Sequence, residues 1–159
     1  MAFVVDGSNL LGHRAPGGHR DPEERIRLVS ALLAFQRLTR TRILLVFDGP
    51  PDERLLDGRT TDKFDILFPP PGEKADGIIQ DLIAAFPDRR HLILVTSDRE
   101  LRAFARSRGA SCRTAAEFDR RLKSALRQSR KARELDKPRE SPSPLETQIW
   151  LDLFKNRKR

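Results

Sequence analysis

Cysteine is almost absent: Cys112 is the one thiol among 159 residues. That excludes a disulfide framework and a cysteine-based zinc site, and it makes a reducing cytoplasm the expected compartment. Long hydrophobic runs are also missing. The longest, of the size of IleLeuLeuValPhe at 43–47, falls far short of the roughly 20 apolar residues of a membrane-spanning helix, so no integral membrane protein is expected. The opening MetAlaPheValValAspGly has no basic stretch and reaches Asp6 at once, which predicts no secretory signal. There is no GlyXaaXaaXaaXaaGlyLysSer loop and no GlyXaaGlyXaaXaaGly after the first apolar run, which argues against an NTPase or a dinucleotide enzyme. A phosphatase with an aspartyl nucleophile would place a second Asp two residues after the first, where this chain has Ser8. No Ser-His-Asp or Cys-His spacing points to nucleophilic catalysis.

What remains is a soluble-type composition, 38% hydrophobic and 34% charged, in a chain long enough for one domain with a real core. The net charge of +8 is unevenly placed: residues 119–159 hold 13 basic and 6 acidic side chains, leaving the first 118 residues close to neutral. A near-neutral body with a basic C-terminal segment fits a polyanionic partner, RNA or DNA ahead of an anionic membrane, because no strongly apolar basic helix accompanies it. A solvated basic helix would give the same composition.

Apolar runs at 2–5, 43–47 and 92–96 read as strands buried on both faces of a parallel sheet, with a weaker strand at 64–68 and an edge strand at 111–113. Asp21 as N-cap, Pro22 and Glu24 open a helix whose Ile26, Val29, Leu32, Leu33 and Leu38 recur at helical spacing. Helices are also expected at 75–86, at 98–108 with Gly109 ending it, and from about Ala115 behind a Thr114/Glu117 capping box, running towards Arg133. The core domain then spans 1–125, and 126–159 holds the basic helix end, a Pro-rich linker at 137–144 and a short amphipathic helix. That last helix carries Leu145, Ile149, Trp150, Leu153 and Phe154, is too short to stand alone, and should dock through Trp150 on its own domain or a partner.

Three strands finish in a carboxylate: Asp6, Asp48 and Asp98. In an open parallel sheet the carboxyl ends of the strands share one edge, where ligands bind. Asp76, in the first turn of a helix, and Asn9, three residues past Asp6, can reach the same edge. Each acid alone has an ordinary explanation as a turn former or helix cap. Together they repel, by about 4 kcal/mol per pair at about 4 Å and an effective dielectric of about 20, so a positive charge should sit among them. Oxygen ligands without cysteine select magnesium or manganese, and such a site on a phosphodiester supports nuclease chemistry. The segment 12–20, expected as a loop, offers Arg14 and Arg20 as phosphate contacts, and Ser97 and Arg99 flank Asp98 as further substrate-binding candidates. His13, His19 and His91 are expected to be exposed loop residues, since none has metal-ligand spacing.

ValValAspGlySerAsnLeuLeuGly at 4–12, LeuValPheAspGly at 45–49, GlyGluLysAlaAspGlyIleIle at 72–79 and ValThrSerAspArgGluLeu at 95–101, followed by ArgGlyAla at 108–110, resemble the YacP-like NYN domains of the PIN-like nuclease superfamily. The likeness covers roughly residues 3–120, with four motifs in order, and leaves the extension beyond 137 uncovered. It implies a three-layer α/β/α fold around a parallel sheet, a divalent-metal acidic site, and endoribonuclease activity on RNA, with some relatives acting at the ribosome. It further implies Asp6, Asp76 and Asp98 as metal ligands and Asn9, Asp48 and Ser97 as supporting polar groups. The chain departs from the family at Gly77, where a second acid commonly follows the AlaAsp motif; Glu73 or Asp81 can stand in for it.

The leading expectation is therefore a magnesium- or manganese-dependent endoribonuclease. Its main competitor is a non-catalytic RNA- or ribosome-binding module on the same scaffold, favoured by Gly77 and the basic tail. Binding through six or more phosphates would weaken about a thousandfold between about 50 and 200 mM salt in either case. A nucleotide phosphohydrolase is the third option.

Overall fold

A computed structural model describes residues 1–18, 21–136 and 144–156, the last segment without the side chains at 144, 146, 147, 150, 154 and 156. The expected packing of Trp150, the linker at 137–143, His19 and Arg20 lie outside the described residues. Residues 1–126 form one compact unit and 127–159 a second.

The first unit is built on five parallel strands: β1 (Ala2–Asp6), β2 (Arg42–Val46), β3 (Phe64–Leu67), β4 (Leu92–Val95) and β5 (Ser111–Arg113). Their order across the sheet is β3-β2-β1-β4-β5. The chain thus moves outward on one side of β1, returns, and continues on the other side, which makes the carboxyl end of β1 the crevice of an open α/β sheet. Alternation along each strand sends neighbouring side chains to opposite faces. Phe3, Val5, Ile43, Leu45, Phe47, Ile93 and Val95 pack on one face, while Ala2, Val4, Leu44, Val46, Leu92 and Leu94 pack on the other.

The first face is covered by α1 (Gly7–Arg14), α2 (Pro22–Thr39) and residues 115–126 of α6 (Ala115–Asp136). Phe3, Phe35 and Phe118 meet there, with ring centroids 5.5–5.9 Å apart. Each ring is fully buried and contributes about 1.5–3 kcal/mol in transfer from water. The second face is covered by α4 (Ala75–Ala85) and α5 (Arg99–Ser107), through Ile79, Ile83, Leu101 and Ala105. The result is the expected three-layer α/β/α fold. A short α3 (Glu53–Leu56) sits between β2 and β3. In the second unit, α7 (Pro144–Asn156) leaves Leu145, Ile149 and Leu153 exposed. Among the described residues no helix is long and apolar enough to cross a membrane.

Two local expectations are corrected. Residues 12–14 are not loop but the last turn of α1, which Asp6 caps through its carboxylate. Gly7 and Gly12 lower the intrinsic helix propensity, yet Leu10 and Leu11 are buried against the first face and that burial decides the outcome. His13 accordingly lies on a helix, 3.7 Å from Asp119, and His91 closes a short 3-10 turn with Nδ1 2.5 Å from Asp88.

Gly7 is required by close packing. A Cβ there would stand 2.8 Å from the Phe47 ring and 2.9 Å from the Val46 carbonyl oxygen. Phe47 is fully buried and cannot turn away cheaply. Gly7→Ala is expected to destabilise the protein by about 1–3 kcal/mol in urea unfolding, through overpacking at the strand end that carries Asp48. A midpoint equal to that of the wild type would contradict this packing.

Candidate active site

Strand register brings the acidic residues to one edge. Asp6 ends β1 opposite Val46, two residues before Asp48, and Val5 pairs with Val95, so Asp6 lies beside Thr96 at the start of the loop to Asp98. Asp6 is buried, and burial raises its pKa from 3.8 to about 6, aided by the charges of Asp48 and Asp76. Two donors work against that rise: Thr96 Oγ1 donates to Asp6 Oδ2 at 3.0 Å, and the Asn9 backbone N–H reaches Oδ1 at 3.3 Å.

Asp48 performs a long-range task. Lys74, the N-cap of α4, makes no side-chain cap bond, and Asp48 Oδ1 instead accepts from Ala75 N–H at 2.8 Å. This ties the end of β2 to the first turn of α4, where Asp76 stands exposed. Desolvation lifts the Asp76 pKa, followed by the charges of Asp98 and Asp48, with Lys74 pulling the other way. Asp98 caps α5, its Oδ1 accepting from Glu100 N–H at 2.9 Å and Leu101 N–H at 3.1 Å. Asp6, Asp48 and Asp98 therefore each accept from the first turn of a helix, and the positive ends of these helices partly offset the gathered negative charge.

The supporting residues lock the loops. Asn9 Oδ1 accepts from Ser97 N–H at 2.9 Å, Ser97 Oγ accepts from Ala115 N–H at 3.2 Å, and Ser8 Oγ accepts from Asp48 N–H at 3.2 Å. Arg99 is exposed beside Asp98. Arg14 is placed differently from a free phosphate contact: its Nη1 lies 3.2 Å from Asp119 Oδ1, and Asp119 is buried and also meets Lys123 at 3.0 Å. Arg25 sits at the acidic edge, with its guanidinium 5.1 Å from the Phe47 ring centroid and Nη2 donating to the Asp48 carbonyl at 3.4 Å.

Sequence reasoning missed Thr96, Asp119 and Arg25. Thr96 is fully buried between two carboxylate-bearing positions, donating to Asp6 and accepting from Asp98 N–H at 3.2 Å. Thr96→Val removes the donor that lowers the Asp6 pKa. The acid limb of any activity profile should then move to higher pH than in the wild type, with activity falling about 10–100-fold as for other supports of a metal ligand. An unmoved limb would separate Thr96 from the chemistry.

The acidic donors carry no internal counter-charge in the form of an ion pair: among the described residues, no salt bridge joins Asp6, Asp76 or Asp98 to a Lys, Arg or His, so their mutual repulsion is not relieved in that way. Equally, no three acidic, histidine or cysteine side chains among them stand close enough to enclose an ion. All-oxygen donors are the class that a hard divalent cation such as magnesium takes, with only one or two carboxylates bound directly and waters completing its shell. They do not fit an ion that needs a closed protein cage.

Comparison with known proteins agrees with this architecture. The YacP-like NYN domain family matches residues 3–157, so the likeness extends through the C-terminal segment beyond the 3–120 expected from the motifs. The crystal structure of Rae1 (YacP) from Bacillus subtilis superposes with a TM-score of 0.70 at 22% identity, covering 100% of this chain and 95% of that one. Its W164L mutant gives 0.71 at 22%, covering 89% and 87%. No curated protein matches the chain significantly. With the family model spanning nearly the whole chain and the sheet order in agreement, the chain belongs to the YacP-like NYN domain family.

Proposed function

We propose that this protein is a divalent-metal-dependent endoribonuclease that hydrolyses RNA phosphodiester bonds. The observation that carries the reading is the gathering of Asp6, Asp48, Asp76 and Asp98 at one sheet edge, where burial first and the neighbouring carboxylates second raise the pKa values of Asp6 and Asp76.

Asp6, Asp76 and Asp98 are the residues that would hold magnesium or manganese, one or two of them directly and the remainder through water. When bound, the ion supplies positive charge against that developing on the phosphate and acidifies the attacking water. The chain's own groups do the rest. Asp48 uses Oδ1 to fix α4, which leaves Oδ2 as the atom to orient the water and take its proton. Asn9 uses its carbonyl on Ser97 N–H, which leaves its amide N–H groups for a phosphate oxygen. Arg99, and Arg14 where phosphate displaces Asp119, add positive charge to the path, and the 13 basic residues of 119–159 draw in the polyanion. A ribosome-bound RNA is the proposed setting, to be tested by copurification with ribosomal particles.

The deciding assay is cleavage of RNA in magnesium, in manganese and in EDTA. Cleavage that needs either ion supports the reading, and cleavage that persists in EDTA removes the metal. Salt-sensitive binding with no cleavage under any condition would instead favour the non-catalytic RNA-binding module, which Gly77 in place of a second acid also allows.

A further inference from the structure

The loops after β2 and β3 enclose a groove of about 200 Å³ that the chemistry above does not use. Its walls are Pro50 and Pro51 on one side and Pro69, Pro70 and Pro71 on the other. The second wall is rigid: Glu73 N–H donates to the Pro70 carbonyl at 3.0 Å, with Pro71 and then Gly72 at φ 81° between them. This is a type II turn, which takes proline second and needs a residue of positive φ, normally glycine, third. The groove is also continuous with the acidic edge. One wall begins at Gly49, directly after Asp48, and the other runs through Glu73 to Ala75, whose N–H is held by Asp48 Oδ1 at 2.8 Å.

We propose that this groove receives one unpaired nucleobase of the RNA, next to the phosphodiester being cleaved. The inference rests on the endoribonuclease reading and deepens it. A volume of about 200 Å³ is below the range of roughly 300–1,000 Å³ typical of whole-ligand pockets and suits a single planar ring system. Proline rings present flat aliphatic faces and no N–H donor, so the walls can sandwich any base without reading its edge. Stacked bases of a duplex cannot enter. The groove therefore selects single-stranded RNA while leaving sequence choice open. Lys74, exposed between the groove and Asp76, is placed to meet the phosphate of the same nucleotide.

The test uses the full chain and a set of single-stranded RNA oligonucleotides in which one nucleotide at a time, on either side of the cleaved bond, lacks its base. One position should lower kcat/KM at least about fivefold, in line with the lower end of base-stacking contributions. Pro51→Glu and Pro70→Glu, on opposite walls and both exposed, should lower cleavage of the intact RNA to that same level and leave the base-free RNA unaffected. Melting curves confirm that the variants fold, and the wild-type series decides alone if they do not. Cleavage indifferent to every missing base overturns the groove but keeps the nuclease. If no RNA is cleaved, the nuclease reading fails separately, and anisotropy titrations of the same oligonucleotides still decide the groove: equal affinities overturn it, and loss of affinity at one base-free position supports it. Self-association of the wild type that Pro70→Glu abolishes would also overturn it, by giving the groove to a second copy.

Discussion

Asp6→Asn is expected to reduce RNA cleavage more than about 100-fold and at the same time to make the protein more stable at pH 8. Support residues around a metal ligand typically cost about 10–100-fold when removed, so the ligand itself should cost more. The stability gain comes from the same carboxylate. Asp6 is buried with its pKa raised to about 6, so at pH 8 the fold carries an ionised group that it would rather keep protonated. Asparagine has the same shape, caps helices as well as aspartate, and can still accept the Asn9 N–H bond. Its NH2 group faces a Thr96 hydroxyl already engaged by Asp98 N–H, which takes back part of the gain. A net rise of about 1–2 kcal/mol, or roughly 3–8 °C in melting temperature, is expected. Parallel cleavage assays and thermal melts at pH 8 check both halves. An active variant would remove Asp6 from catalysis, whereas an inactive but destabilised one would show that Asp6 is held by contacts the structure does not reveal.

The fold was legible because its main signals are local. Continuous apolar runs at β1, β2 and β4 can only be buried on both faces, and Pro22 at the start of α2 and Gly109 after α5 mark helix ends by backbone geometry. The gathering of Asp6, Asp48 and Asp98 also followed from sequence, since strand ends in a parallel sheet share an edge. What was not legible depends on contacts between distant residues. Thr96 reads as the last residue of a strand, and only the pairing of β1 with β4 places its hydroxyl on a carboxylate 90 positions away. Asp119 reads as a solvated residue in a basic helix until α6 packs against α1 and buries it beside Arg14. Asp48 reads as a turn former, and its capping of α4 spans 27 residues. Residues 12–14 read as the start of a loop, and only the burial of Leu10 and Leu11 against the sheet carries the helix through them.

Without metal, the wild type should lose stability as pH rises. Asp6 has a folded pKa of about 6 and an ordinary value of 3.8. Between these values the folded protein retains a proton that the unfolded chain has released, so folding is favoured at the acid end and the advantage is gone above about pH 6. Two units at about 1.36 kcal/mol each give about 3 kcal/mol of stability lost between roughly pH 4 and pH 6. Asp76, also raised, acts in the same direction. Unfolding in EDTA at a series of pH values measures this, and subtraction of the Asp6→Asn curve isolates the Asp6 contribution from that of other carboxylates. A difference curve flat across pH 4–7 would mean that Asp6 titrates like an exposed acid. Magnesium should reverse the loss, because a ligand at about 100 times its Kd stabilises the native state by about 2.7 kcal/mol, roughly 5–10 °C here. The cation competes with the proton for Asp6, so this rise should be small at pH 5, full at pH 8, and absent in Asp6→Asn at both. Equal magnesium shifts at pH 5 and pH 8, or a shift that survives the substitution, would place the ion elsewhere on the protein. The strand-end carboxylates would then be left without the charge that their arrangement requires.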